Sequence, residues 1–179
     1  KGNVLNPLQA IDEYGCDALR FALTTGSTPG NDSKISAQRL EAGRNFTNKL
    51  WNAARFVIMS LENAGQGGDA PAALPVEDSW ILSRLNRVTA DVKRLLEDFQ
   101  FGEAERQVYE FIWDEYCDWY IEISKVRMRS GGVSPLPVLV KALVTSLRLL
   151  HPFMPFVTEE LWHRLPRQAG QPDSIMIAH

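Results

Sequence analysis

The chain has 179 residues, 45% of them hydrophobic, with 19 basic and 22 acidic side chains and a formal net charge of −3. This is ordinary globular composition, with enough chain to bury a sizeable core without disulfides or metals, and no apolar run approaches the length of a membrane span. A net acidic chain argues against a nucleic-acid partner, because neutralising phosphates needs clustered Lys and Arg, until the charge is mapped locally. The two cysteines, Cys16 and Cys117, lie far apart among apolar or aromatic neighbours and follow no metal-ligand spacing, which fits a reduced intracellular protein. The first residue is Lys1, there is no secretory signal, and both ends read as boundaries inside a longer protein.

In chain order, Asn6 and Pro7 form an N-cap and first-turn proline for a short helix that Gly15 closes. A second helix is expected over 17–25, ending at Gly26, and a loop over 26–33. Ser36 caps a long helix running to about Asn63, with Leu40, Gly43, Phe46, Leu50, Ala54, Val57 and Leu61 at three- and four-residue steps. Residues 65–75, with Gly65, Gly67 and Gly68, read as a linker. The next helix starts near Asp78 and places Ile81, Leu85, Val88, Val92, Leu95 and Phe99 on one face. After a turn at Gly102, a third long helix over 103–129 is expected to carry Val108, Phe111, Ile112, Trp119, Ile123 and Val126 inward. A fourth begins at Ser134 or Pro135, and Pro152 and Pro155 separate it from a short fifth ending at Leu165. Residues 174–179 read as a strand-like apolar segment. The fold predicted is all-α, an antiparallel helical bundle with a short mixed connecting segment at the N-terminus.

No catalytic set is visible. His151, His163 and His179 have no carboxylate or nucleophile at motif spacing, and His151, before a proline, is expected to cap the last carbonyls of its helix. The acids Glu103, Glu105, Glu110, Asp114, Glu115, Asp118 and Glu122 are spread around one helix rather than gathered in a calcium loop, so pairing with neighbouring arginines or solvation is expected. Phe111, Trp113, Tyr116, Trp119 and Tyr120 read as core and interface packing, with Trp113 or Tyr116 as candidates for exposure. The informative feature is the arc of the first long helix opposite its apolar stripe, which holds Arg44, Asn45, Asn48, Lys49, Asn52, Arg55 and Phe56. Asn45, Lys49, Asn52 and Phe56 fall at i, i+4, i+7 and i+11, and residues 34–55 carry five basic side chains against Glu41 alone. Cations for phosphates, amides for base edges and an aromatic platform are what single-stranded RNA requires. A solvated helix face, with Phe56 tucked under a neighbouring loop, satisfies the same pattern.

Several stretches carry a family resemblance. KGNV with GCDALRFAL resembles the sequence after the ATP-loop signature of class I aminoacyl-tRNA synthetases, and GSTPGNDSKIS with RNFTNKLWNAARFV resembles the valyl enzymes in particular. DWYIEISK and LHPFMPFVTEELWHRL resemble the helical anticodon-binding domain shared by the valyl, isoleucyl, leucyl and methionyl group, and SIMIAH again looks valyl. The resemblance implies a C-terminal portion of a cytoplasmic valine–tRNA ligase. Its ATP- and magnesium-dependent catalytic domain and its editing domain would lie outside this chain, leaving this portion non-catalytic and without a cofactor or metal of its own. It implies a segment at 1–33 contacting the inner side of the tRNA, an anticodon-binding bundle at 34–165, and the start of a C-terminal extension at 166–179. Lys1, Gly2 and Asn3 would lie near the ATP loop, and Asn31 and Asp32 near the inner corner of the tRNA. The family supplies only the location of the anticodon site. Helix geometry and chemistry then assign Phe56 as stacking platform, Arg44, Lys49 and Arg55 as phosphate or base contacts, Asn45, Asn48 and Asn52 as amide readers, and Arg39 as a further contact. Asp17 and Arg20 are expected to tie the connecting helix to its neighbours. The partner implied is a valine-accepting tRNA, with no membrane. An isoleucyl- or leucyl-type synthetase, or a helical protein-interaction domain, are the alternatives.

Overall fold

The computed structural model describes residues 6–27, 35–64, 73–166 and 171–178. The expectations for Lys1, Gly2, Asn3, Asn31, Asp32, the linker glycines and His179 lie outside the described residues. Helix α1 (Pro7–Tyr14) is capped by Asn6, whose side chain accepts from the Leu8 amide at 3.0 Å, and α2 (Cys16–Thr24) follows directly. Gly15, at φ 94°, makes the sharp corner between them in a conformation a side chain would strain. The described part of the mixed segment expected here is thus two helices. Helix α3 (Ala37–Asn63) starts where expected, with the Ser36 hydroxyl accepting from the Arg39 amide at 3.3 Å. Helix α4 (Val76–Glu97) is followed by α5 (Phe101–Glu110), a π-helical segment (Phe111–Tyr120) and α6 (Ile121–Ser130), which form one continuous rod. Gly131, left-handed at φ 71°, ends the rod. Helices α7 (Leu136–Leu150) and α8 (Pro155–Arg164) and a 3-10 turn (Ile175–Ile177) complete the order, and no strand occurs among the described residues.

The main core draws on α3, α4, the rod, α7 and α8, with Phe46, Leu50, Ile81, Ile112, Tyr116, Tyr120, Leu139, Leu143 and Leu147 all fully buried. Each such aliphatic or aromatic side chain contributes roughly 1.5–3 kcal/mol through burial. The two buried tyrosine hydroxyls are satisfied: Tyr116 donates to the Leu139 carbonyl at 2.9 Å and Tyr120 to Asp78 Oδ1 at 2.7 Å. Successive long helices run antiparallel, as pairing of Arg84 with Glu115 and of Asp78 with Arg127 shows for α4 and the rod. Helix α3 and the rod, two apart in sequence, run parallel: their contacts advance together, from Phe46 on Tyr109 to Lys49 on Asp118 to Phe56 on Lys125.

Several expectations need correction. Trp119 and Val126 are both 65% exposed, although a regular period placed them inward. The π-helical winding shifts the phase, so that the buried series becomes Phe111, Ile112, Tyr116, Cys117, Tyr120, Ile121 and Ser124. Tyr116, a candidate for exposure, is fully buried. Phe99 lies beyond the end of α4, at φ 56° and 71% exposed, because the helix stops at Glu97 and the core stripe with it at Leu95. The strand-like segment is the 3-10 turn, held by Ser174 accepting from the Met176 amide and by the Ile175 amide donating to Glu159, and only Ile175 is buried. His151 is the C-cap residue of α7, its backbone N–H donating to the Leu147 carbonyl at 2.9 Å, while its ring turns to α8, with Nδ1 2.7 Å from the Thr158 hydroxyl.

Asp17 and Arg20 tie α2 to the α7–α8 corner. The Asp17 carboxylate caps the start of α8, accepting from the amides of Phe156 at 3.2 Å and Val157 at 2.6 Å. Arg20 donates in the other direction, to the carbonyls of Pro152 at 2.9 Å and Phe153 at 3.3 Å. Phe21 enters the main core against Phe46, with ring centroids 5.3 Å apart.

Candidate functional site

Helix α3 packs along its whole length through Leu40, Gly43, Phe46, Leu50, Ala54 and Val57, and the opposite side stays open to solvent. The open residues are Asn45, Asn48, Asn52 and Arg55, followed by Met59, at steps of three and four residues. They form one continuous strip in which three carboxamides lead to a guanidinium. Arg55 makes no ion pair among the described residues. Arg44 flanks the strip, with Nη2 3.7 Å from Glu41 and its guanidinium 5.4 Å above the Tyr14 ring. Arg39 is half-buried near the start of α3, its Nη2 packed where a Cβ on Gly26 would stand 3.6 Å away.

Lys49 and Phe56 lie on the flank that faces the rod rather than on the open strip. Lys49 Nζ stands 3.8 Å from the Trp113 ring centroid and 2.6 Å from Asp118 Oδ1, with its side chain 22% exposed. Its charge is therefore spent within the bundle. Phe56 is half-buried against the core, and the Lys125 ammonium of α6 sits 5.2 Å from its ring centroid. The line of Asn45, Lys49, Asn52 and Phe56 thus divides, two amides opening outward while the lysine and the ring lean into the α3–rod seam. Lys125 was not legible as a site residue: its spacing from Glu122 signals a local ion pair, but no local signal says that α6 lies beside Phe56.

Arginines take up several of the rod's carboxylates. Arg106 donates to Glu103 at 2.8 Å and to Glu110 at 2.5 Å, and this guanidinium holds Glu103 down at about 2. Arg84 makes a two-pronged contact with Glu115 at 2.7 and 2.6 Å. No group of three His, Cys, Asp or Glu side chains among the described residues is placed to hold a metal ion. Burial pushes the Cys117 thiol up to about 12, which leaves it without thiolate character at neutral pH. No helix among the described residues is long and apolar enough to cross a membrane. The open strip presents carboxamides that can both donate and accept hydrogen bonds and a guanidinium that can meet an anionic group.

The family model described as the anticodon-binding domain of tRNA ligase matches residues 78–179. A valine--tRNA ligase of Dehalococcoides mccartyi is 61% identical over 183 residues, which covers 98% of this chain and 20% of that protein. One from Carboxydothermus hydrogenoformans is 49% identical over 180 residues, covering 99% of this chain and 20% of its own length. The chain therefore spans about a fifth of the length of these curated relatives. Among solved structures, a ternary complex of Agrobacterium radiobacter K84 agnB2 LeuRS with tRNA and LeuAMS matches with a TM-score of 0.69 at 23% identity, over 97% of this chain and 20% of that one. The free form of Mycobacterium tuberculosis methionyl-tRNA synthetase matches with a TM-score of 0.75 at 17% identity, over 93% of this chain and 36% of that one. Both likenesses concern the fold.

Proposed function

We propose, since this chain belongs to the anticodon-binding domain family of tRNA ligases, that it holds the anticodon region of a tRNA for the attachment of valine. The choice of valine rests on the high identity to proteins named valine--tRNA ligase. The observation that carries the binding role is the open strip of α3, where Asn45, Asn48, Asn52 and Arg55 are exposed beside the half-buried Phe56. Carboxamides match base edges in both donor and acceptor, and an aromatic ring offers any unstacked base a platform. Arg55 and, from the flank, Arg44 and Arg39 supply positive charge to an otherwise acidic chain. Lys49 acts one step removed, fixing Trp113 and Asp118 so that the seam beside Phe56 keeps its shape.

In this reading the working protein is a cytoplasmic ligase in which ATP and magnesium serve a catalytic domain outside the chain. Residues 1–33 connect the two, 34–165 form the anticodon-binding unit, and 166–179 open a further extension. Lys1, Gly2 and Asn3 would lie near the ATP loop. The tRNA named in the leucyl complex supports a tRNA partner. No chemical step is assigned to this chain's own residues.

The test is a titration of the chain with a valine-type anticodon stem-loop and with one altered in its anticodon, at low and moderate salt. Phe56→Leu keeps an apolar group in the seam while removing the ring. We expect preference for the valine loop, affinity that falls with salt, and a loss on Phe56→Leu of about 1–3 kcal/mol, the value of one base–aromatic stack. Equal binding of both loops, untouched by Phe56→Leu, would sink this reading of the α3 face.

A further inference from the structure

The ring of Phe56 carries a neighbour whose chemistry extends the site onto a second helix. Lys125, on α6, places Nζ 5.2 Å from the Phe56 ring centroid and 2.6 Å from Glu122 Oε1, one turn back on its own helix. Both side chains of this pair are open to solvent, Lys125 at 35% and Glu122 at 60%. Lys49, the other lysine along the seam, is pinned between Trp113 and Asp118. We propose that Lys125 is a phosphate contact for the nucleotide whose base lies on Phe56, and that Glu122 holds the ammonium in place until that nucleotide arrives. The proposal rests on the reading of α3 as an RNA-facing helix.

The argument is one of exchange. A base stacking on Phe56 must enter where the ammonium now stands, so Lys125 has to yield. A cation 5.2 Å from the centroid of a half-buried ring is a modest contact, and a solvent-facing lysine–glutamate pair is weaker still, so little opposes the move. Each nucleotide brings its own phosphate, linked to the base by a single sugar. The flexible lysine stem lets Nζ swing off the ring and trade the Glu122 carboxylate for that phosphate, keeping an anionic partner throughout. Asn52, one turn before Phe56 on α3, and Arg55, next to it in the chain, are both exposed. A nucleotide in the seam would then be gripped from two helices. The proposal also gives Glu122 a defined effect, since its carboxylate competes with phosphate for one ammonium.

The experiment measures binding of the valine-type stem-loop to the wild-type chain and to Lys125→Ala, Glu122→Gln, Phe56→Leu and the Lys125→Ala/Phe56→Leu double variant across a salt series. Thermal unfolding of each variant confirms the fold. The expected result is roughly tenfold weaker binding for Lys125→Ala at low salt, with the slope of log affinity against log salt reduced by about 0.7, the loss of one single-strand phosphate contact. Glu122→Gln should bind more tightly than wild type. The double variant should lose less than the product of the two single losses, because both residues serve one nucleotide. Unchanged affinity and slope in Lys125→Ala would overturn the inference while leaving the α3 reading intact. Losses that simply multiply would also overturn it, reducing Lys125 to general electrostatics. Failure of the wild type to prefer the valine loop would overturn the proposed function, and this inference with it.

Discussion

Glu105 shows how much a single side chain can contribute to the junction between α2 and the rod. It is 1% exposed, and its hydrogen-bond partners among the described residues are hydroxyls: Thr24 Oγ1 lies within hydrogen-bonding contact of it, and Thr25 Oγ1 is 2.5 Å away. Burial pushes its carboxyl up to about 8, against the opposing pull of the Thr25 hydroxyl. The unfolded chain ionises this group near the ordinary value of 4.5, so between 4.5 and about 8 the folded state binds the extra proton. Stability is therefore fullest below 4.5, declines as pH rises to about 8, and then levels off. Glu105→Gln removes the titration and can still donate to and accept from the threonines. Its melting temperature relative to wild type should climb between pH 5 and pH 8. A difference independent of pH would show that Glu105 is not protonated in the fold. The sequence marked Glu105 only as one of seven acids on a helix. Its burial comes from α2, some 80 residues earlier in the chain.

Contact between elements is set at α2 and α3 by the absence of a side chain. A Cβ on Gly43 would stand 2.9 Å from the Ala18 carbonyl oxygen and 3.0 Å from the Ala18 Cα, both backbone atoms with little room to yield. Gly43→Ala gains about 1 kcal/mol in helix propensity but costs about 1–3 kcal/mol in overpacking. We expect a lower urea midpoint, with α2 displaced; a higher midpoint would mean that α2 moves aside freely. Position 43 was legible as part of the apolar stripe, because the 3.6-residue period needs no partner to be seen. The π-helical stretch was not. Its wider winding turned Trp119 outward and Tyr116 inward, and a pattern read at constant period carries no mark of that change.

At the scale of the molecule, one buried cluster closes the far end of the bundle. Asp78, 1% exposed at the start of α4, is gripped by the Arg127 guanidinium and accepts from Tyr120, while Arg127 also reaches Glu77 at 3.3 Å and the Val133 carbonyl at 2.9 Å. Arg127→Met strands the Asp78 carboxylate in the interior, and a loss of about 3–5 kcal/mol in denaturant unfolding is expected. Arg127→Met with Asp78→Asn should recover part of it. A loss below about 1 kcal/mol for the single change would show that water reaches Asp78.

Capping and periodicity are properties of adjacent residues, and motif words need no fold to be read, so the α-helical order, the Asn6 and Ser36 caps, the buried stripe of α3 and the family were legible in the chain. The tertiary structure decided the flanks of those helices. Lys49 meets Asp118 across 69 residues of chain, and Phe56 meets Lys125 only because α3 and the rod lie parallel. Whether a polar side chain on a helix faces solvent or a neighbour depends on which helix lies beside it. That choice is made by the packing of the whole core.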